Sequence, residues 1–427
     1  MQQRRQRQAL WLIALGATCV LAASAGAGTD RGEQQAVSFQ LRIGNVLPFT
    51  GDLAAYGANL DQAVKIAIAL QNESLKRVKQ TGISTRLVAS EDGQTQAAAS
   101  VEAATKLVKV DKVSVVIGEM ASGATIPVAQ SVTIPNRVVQ ITPTSTAPQI
   151  STIKDNGYLW RILASDSLQG RVLAQAAVGA FGRGATVNVG ARNDAFGVAL
   201  RKLFVAQYTK LGGKIGAQVS WNPTQATFDS EAGRLVAGDP KGFVMIDFPE
   251  TFEKMAPALV RTGKWSPAKT LMTEAMRNAE VLEKVGGPAV EGLRGTAPTS
   301  VGAPARAAFD RLYKQRAKGA KAYTGFEGSA FDAANLAFLA AVKAKSASPA
   351  RIKAQLRAVS GPPGVKVTYR QMDRAITLLL AGRDVDYEGA WGPADWDQNG
   401  DPGSAVFEIW KYGGGKITTS RIITFRG

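Results

Sequence analysis

Short apolar runs recur along this chain, and each is followed by a stretch with helical spacing. Leu41-Arg-Ile-Gly-Asn-Val46 alternates as a strand and ends at Pro48. From about Asn59, residues Leu60, Val64, Ala67 and Ile68 share one helical face. Thr85–Ala89 reads as the next strand, and Ala97–Val108 as a helix with Val101, Ala104 and Leu107 in register. Val113–Ile117 and Val138–Ile141 add two strands. The pattern then restarts, with strands at Ala185–Val189, Gly242–Ile246 and Thr270–Thr273 and helices at Gly197–Leu211 and Phe252–Thr262. A parallel pair of strands needs a long crossover, and a crossover helix covers the sheet face. Two such series therefore predict an α/β protein of two similar Rossmann-like lobes with parallel central sheets.

Beyond Gly292-Leu-Arg-Gly-Thr-Ala297 the spacing is helical, at Ala305–Arg316, Ser329–Lys343 and Pro349–Ala358. Gly361-Pro-Pro-Gly364 breaks that run, and a short strand and helix reach Ala381. The Gly- and Pro-rich tail from Gly389 reads as turns and short strands, and no low-complexity linker separates the lobes.

The first residues carry an export signal. Arg4, Arg5 and Arg7 precede the apolar Ala9-Leu-Trp-Leu-Ile-Ala-Leu15, and Ala23-Ser-Ala25 offers a small-residue cleavage site. This is the pattern of a secretory signal peptide over residues 1–25, which predicts a periplasmic protein. Cys19, the sole cysteine, lies within that stretch, and Gly16-Ala-Thr18 lacks the leucine expected ahead of a lipid-attachment cysteine. Cleavage would leave no thiol and no disulfide.

The chain contains no histidine. That excludes a Ser-His-Asp triad, a His-based zinc site and imidazole acid–base chemistry, so neither catalytic nor metal-binding residues are expected. The net charge of +17 stays strongly positive after loss of three arginines. Its Lys and Arg residues are scattered among helices rather than interleaved with aromatics, which argues against nucleic acid as a partner.

Two loops rich in hydroxyls follow apolar strands. Val113-Ser-Val-Val-Ile-Gly118 runs into Glu119-Met-Ala-Ser-Gly-Ala-Thr125, and Val138-Val-Gln-Ile-Thr142 into Pro143-Thr-Ser-Thr-Ala-Pro148. At the carboxyl ends of parallel strands such loops present hydroxyls and helix-start N–H groups to a small anion. A second reading stays open, in which Ser122, Thr144 and Thr146 cap helices and turns. Asp397-Gln-Asn-Gly-Asp401 has a calcium-loop flavour, but without a distal glutamate it reads as a turn.

The order of these segments resembles the leucine/isoleucine/valine-type substrate-binding proteins of ABC importers. The resemblance rests on Leu47-Pro-Phe-Thr-Gly-Asp-Leu-Ala-Ala-Tyr-Gly57, both hydroxyl loops, Arg161-Ile-Leu-Ala-Ser-Asp-Ser-Leu-Gln-Gly170 and Asn193-Asp-Ala-Phe-Gly197. Phe326-Glu-Gly-Ser-Ala-Phe-Asp-Ala333 and the tail from Tyr387 to Asp401 extend it over nearly the whole chain from Gln40. It implies a type I periplasmic binding fold with three hinge crossovers, near Leu163–Asp166, Gly292–Ala297 and Tyr387–Gly392. Lobe one would combine residues 38–163 with 297–387, and lobe two 166–292 with 388–427. It further implies a monomer without cofactor that traps a small ligand between the lobes and delivers it to a membrane permease.

In the positions that match, Ser122 and Thr146 would hold a ligand carboxylate or head group, and Thr144 would offer backbone contacts. Tyr56 would act as an aromatic lid. Phe196 stands where a tyrosine is common, keeping an apolar wall without the hydroxyl, and Phe248 is a looser candidate for that wall. Glu274, directly after a strand, matches the acid that pairs with an α-ammonium, although a helix-start glutamate in solvent would look the same. Together these imply a branched-chain or related apolar amino acid. Amides, urea-like solutes and aromatic acids stay open as ligands, and a sensor subunit presenting its ligand to a membrane receptor stays open as a role.

Overall fold

The structure is a computed structural model that describes residues 37–318 and 324–426. The expected signal segment, residues 1–25, and Cys19 lie outside the described residues.

The first sheet is built from β1 (Phe39–Leu47), β2 (Ile83–Asp92), β3 (Val115–Gly118), β4 (Val139–Thr142) and β5 (Leu159–Arg161), all parallel in the order β2-β1-β3-β4-β5. Helices α1 (Ala54–Arg77), α2 (Ala97–Lys109) and α3 (Ser122–Val128) connect them. β3 and β4 are buried at every residue, which accounts for the continuous apolar run of β3, while in β4 Gln140 and Thr142 alternate with Val139 and Ile141 and bond Gly118 O and Glu119 O. α1 starts at Ala54, five residues ahead of the expected Asn59.

The second sheet follows. α4 (Asp166–Phe181), β6 (Thr186–Arg192), α5 (Ala195–Lys210), β7 (Lys214–Trp221), α6 (Asp229–Leu235), β8 (Gly242–Ile246), α7 (Pro249–Arg261) and β9 (Thr270–Met272) come in succession. The short helices α8 (Ala279–Val285) and α9 (Gly287–Val290) lead into β10 (Arg294–Pro298). The parallel part runs β7-β6-β8-β9-β10, the same relative order as the first sheet. α4, α6 and β7 have no counterpart in the sequence reading. β7 is an edge strand whose first half is exposed or half-buried and contains Gly216, so it lacks an apolar signature.

The chain then returns to the first sheet with α10 (Arg306–Arg316), α11 (Glu327–Ala344) and α12 (Pro349–Val359). α11 is buried on every side from Glu327 to Val342, as a helix within a core should be. Its polar atoms are matched: Gln71 Nε2 on α1 donates to Asn335 Oδ1 at 3.0 Å and to Ala334 O at 3.1 Å. β11 (Val365–Val367), α13 (Met372–Leu380) and β12 (Val385–Tyr387) complete this part, with β11 and β12 paired in a small sheet of their own.

Two expectations need correction. Arg294–Pro298 pairs within the second sheet, so the passage expected at Gly292–Ala297 comes after Pro298. The tail, expected as turns and short strands, instead ends in a long hairpin. Its strands are β13 (Ser404–Gly413) and β14 (Lys416–Arg426), which add antiparallel to β10 and make the second sheet mixed. A register shift between Ile409 and Trp410 breaks the two-residue period, which hides the strand in the sequence. Asp397 Oδ1 accepts from Asn399 N (2.7 Å) and Asp401 N (3.0 Å), so Asp397–Asp401 forms a turn around its own carboxylate.

Gly118 ends β3 with φ +133, and a Cβ there would lie 2.0 Å from Val46 O on the adjacent strand. Only glycine meets both conditions. Gly118→Ala should therefore lower unfolding free energy by roughly 2–4 kcal/mol in urea titration; a loss within experimental error would mean the strand end adapts without strain.

Candidate functional site

Both sheets share one order, and in that order ligands are expected outside the carboxyl ends, where adjacent crossovers leave in opposite directions. In the first sheet this point lies between β1 and β3, and in the second between β6 and β8. A cavity of about 360 Å³ empty volume lies there. Leu53 after β1, Met120–Ser122 after β3, and Thr144 and Thr146 after β4 form one side. Phe196 after β6, Phe248 after β8, and Glu274 and Ala275 after β9 form the other, with Leu163 and Phe326 closing it.

The hydroxyl loops divide their labour. Thr142 Oγ1 donates to Glu119 O at 2.6 Å, and Thr144 Oγ1 donates to Met120 O at 2.9 Å. Ser145 Oγ meets Thr125 Oγ1 at 2.7 Å and donates to Met120 O at 3.0 Å. Gln140 Nε2 donates to Gly118 O at 3.0 Å. These bonds satisfy carbonyls that the buried loops would otherwise leave orphaned, so most of the hydroxyls are structural. Ser122 differs. Its Oγ accepts from Thr146 N (3.2 Å) and Ala147 N (3.1 Å), leaving its own O–H free to donate into the cavity. The same bonds take up the backbone N–H groups of Thr146 and Ala147.

Arg161, fully buried on β5, holds the second loop from behind. Its Nη1 donates to Thr146 O and Ala147 O, both at 3.1 Å, and its Nε pairs with Asp401 at 2.7 Å. Trp396 Nε1 donates to Arg161 O at 2.6 Å, and the Trp396 and Trp160 rings pack 4.9 Å apart. The tail motif thus serves the site indirectly.

Five of the six residues expected from the sequence, Ser122, Thr144, Thr146, Phe196 and Glu274, converge on the cavity wall. Tyr56 does not reach it. Its ring is fully buried, edge-on to Phe326 at 5.7 Å, and its hydroxyl donates to Ala275 O at 2.7 Å. It ties the start of α1 to the turn after β9, while Leu53 and Phe326 line the cavity. The sequence reading passed over Phe326 as a wall residue, although its motif was visible. Glu327 accepts from Thr324 N (2.7 Å), Gly325 N (2.8 Å) and Asn59 Nδ2 (2.9 Å), which fixes that turn. Trp391 stacks behind Phe326 at 5.8 Å.

Phe196 and Phe248 stack at 5.4 Å with 19° between planes, giving an aromatic wall. Glu274 is 9% exposed and accepts from Gln169 Nε2. Burial pushes its carboxyl up to about 7. Asp166, fully buried at the start of α4, is pushed well up by burial and then by Glu274, while Thr146 and Arg161 work the other way. Arg161, Arg192 and Arg277 around the cleft are paired with Asp401, Asp52 and Glu408. Burial thus holds both acids toward their protonated forms.

The pH dependence of stability has a definite sign. Folded Glu274 keeps its proton to about pH 7, as does Asp332, and Glu119 to about pH 8, in each case through burial. An unfolded carboxyl loses it near pH 4. Between these values the folded state binds more protons, so stability falls as pH rises. The melting temperature of ligand-free protein should decline from pH 5 to pH 8, and less steeply in Glu274→Gln; parallel slopes would show that Glu274 is ionised throughout.

The sequence profile of the periplasmic binding protein family matches residues 40–377. The chain is 27% identical over 364 residues to the chemotactic signal transduction system substrate-binding protein BasB of Halobacterium salinarum, covering 83% of this chain and 82% of that one. Among solved structures it is similar to the leucine-binding protein LivK of Thermotoga maritima, with TM-score 0.72, 22% identity, and coverage of 90% and 98% of the two chains. It is also similar to a solute-binding protein of an ABC transporter from Rhodopseudomonas palustris in complex with 3,4-dihydroxybenzoic acid, with TM-score 0.68, 18% identity and coverage of 91% and 97%.

Proposed function

The chain belongs to the periplasmic binding protein family, whose members bind solutes rather than transform them, and we propose that it captures a small apolar α-amino acid. The observation that carries this reading is Glu274, a buried carboxyl group on the cavity wall with no cation paired to it among the described residues. A ligand α-ammonium supplies the missing charge through charge-assisted hydrogen bonds. From the other sheet, the free O–H of Ser122 and the hydroxyl of Thr146 receive the α-carboxylate. Thr144, its hydroxyl committed to Met120 O, offers its backbone. Phe196, Phe248 and Phe326 surround an apolar side chain.

An aromatic acid fits the stacked phenylalanines, as the Rhodopseudomonas protein's ligand illustrates. It brings a negative charge and no ammonium, so Glu274 and Asp166 would have to stay protonated beside it. The acids thus favour a zwitterion over an anion.

On this reading the protein is exported through residues 1–25, closes on its ligand as a monomer, and delivers it to an ABC permease. A second role, presenting the ligand to a sensory receptor, is favoured by the similarity to BasB across 83% of the chain. Loss of leucine uptake in a deletion strain supports import; intact uptake with lost attraction to leucine supports sensing.

Isothermal titration with L-leucine tests the site. Ionising Glu274 against the ligand ammonium releases a proton at pH 6, so apparent enthalpies should differ between buffers of different ionisation heat. Glu274→Gln should weaken leucine binding about a hundredfold and abolish the proton release. Binding of benzoate but not leucine, indifferent to the substitution, would overturn the amino-acid assignment.

A further inference from the structure

Arg192, the last residue of β6, lies behind the aromatic wall and is almost fully buried. Its guanidinium carbon sits 3.7 Å from the centroid of the Phe248 ring, which in turn stacks on Phe196. The distance is well within the range for a cation–π contact. On its other side Arg192 bonds Asp194 and lies 3.8 Å from Asp247, both next to the second sheet. Its Nη2 also reaches Asp52 at 2.7 Å, and Asp52 lies in the loop after β1 of the first sheet. Thr251 Oγ1, at the start of α7, donates to the same Asp52 oxygen at 3.1 Å. Burial opposes the charge of Arg192, but Asp194, Asp247 and Asp52 outweigh it. Asp52, Arg192 and Asp194 also line a wide outer groove, so this cluster partitions the ligand cavity from the groove.

One residue therefore touches the ligand wall and the opposite sheet at once. We propose that Arg192 is a positioning residue that converts ligand packing against Phe248 into closure, by carrying the aromatic wall onto Asp52 of the other sheet. The inference rests on the cleft being the ligand site and adds how the two halves are held on it. A side chain that presses Phe248 flat against the guanidinium holds the guanidinium toward Asp52. A ligand that leaves the wall loose does not. Closure then discriminates by ligand shape in the second lobe, although Asp52 touches no ligand, because the closed form gains a contact in proportion to the fit. The local backbone is built for this: a Cβ on Gly197 would lie 2.2 Å from Arg192 O, so the start of α5 can approach β6 only with glycine there.

Asp52→Asn removes one charge and keeps the shape, while Arg192 retains Asp194 and Asp247, so the fold should survive. Small-angle scattering of ligand-free protein should show a larger radius of gyration in Asp52→Asn than in wild type. Stopped-flow with L-leucine should show dissociation about tenfold faster with the association rate unchanged. Asp52→Glu, which keeps the charge, should restore most of both. In a Phe248→Leu background the effect of Asp52→Asn should shrink, since the link to the wall is already cut. Unchanged scattering and dissociation, or effects that simply add in the double variant, would overturn the proposal. If leucine does not bind wild type, the amino-acid reading fails, and scattering alone decides the closure contact.

Discussion

A parallel sheet ordered second, first, third, fourth, fifth forces its crossovers to leave the first and third strands in opposite directions. The loops there cannot cover each other, and a crevice opens at the carboxyl edge. Here the arrangement occurs twice, between β1 and β3 and between β6 and β8. Every pocket residue from Leu53 to Ala275 follows the carboxyl end of a strand on one side or the other. The chain places leucine, methionine and hydroxyls on one edge and aromatics with an acid on the other. The two crevices face one cavity, so its walls draw on both sheets.

Polar groups at this site fall into two populations, and their partners tell them apart. Thr125, Thr142, Thr144 and Ser145 satisfy carbonyls of neighbouring loops. Arg161, Glu327 and Asp332 likewise have partners: Asp332 accepts from Tyr387 Oη and Ala390 N, both at 2.9 Å, and Trp391 N at 2.7 Å. These groups fix the scaffold, because a buried donor or acceptor without a partner costs more than its bond returns. Ser122 with its spare O–H and Glu274 with a single amide partner are incompletely matched within the protein.

Much of the fold was legible locally. β3 and β8 are short apolar runs buried on both faces, and α2 and α12 carry clear apolar stripes. What failed to show was periodicity interrupted by a bulge in β13, and edge position in β7, where burial no longer dictates apolar residues. Of the residues singled out in the sequence, Ser122, Thr144, Thr146, Phe196 and Glu274 are brought together on one cavity wall by the fold. Tyr56 lies outside that wall; an aromatic beside a cleft looks the same in sequence whether its ring faces the cavity or its hydroxyl crosses to Ala275 O.

The sequence alone determined the alternation of strands and helices, hence two doubly wound lobes. With no histidine in the chain, it also excluded imidazole chemistry. Those follow from local spacing and composition, which a chain carries in any conformation. Only the tertiary structure decided which hydroxyls are committed to carbonyls, which acids lack a cation, and that Arg192 meets Asp52 across 140 residues of chain. Such outcomes depend on distances between segments far apart in sequence, and burial sets their energies only once those segments have met.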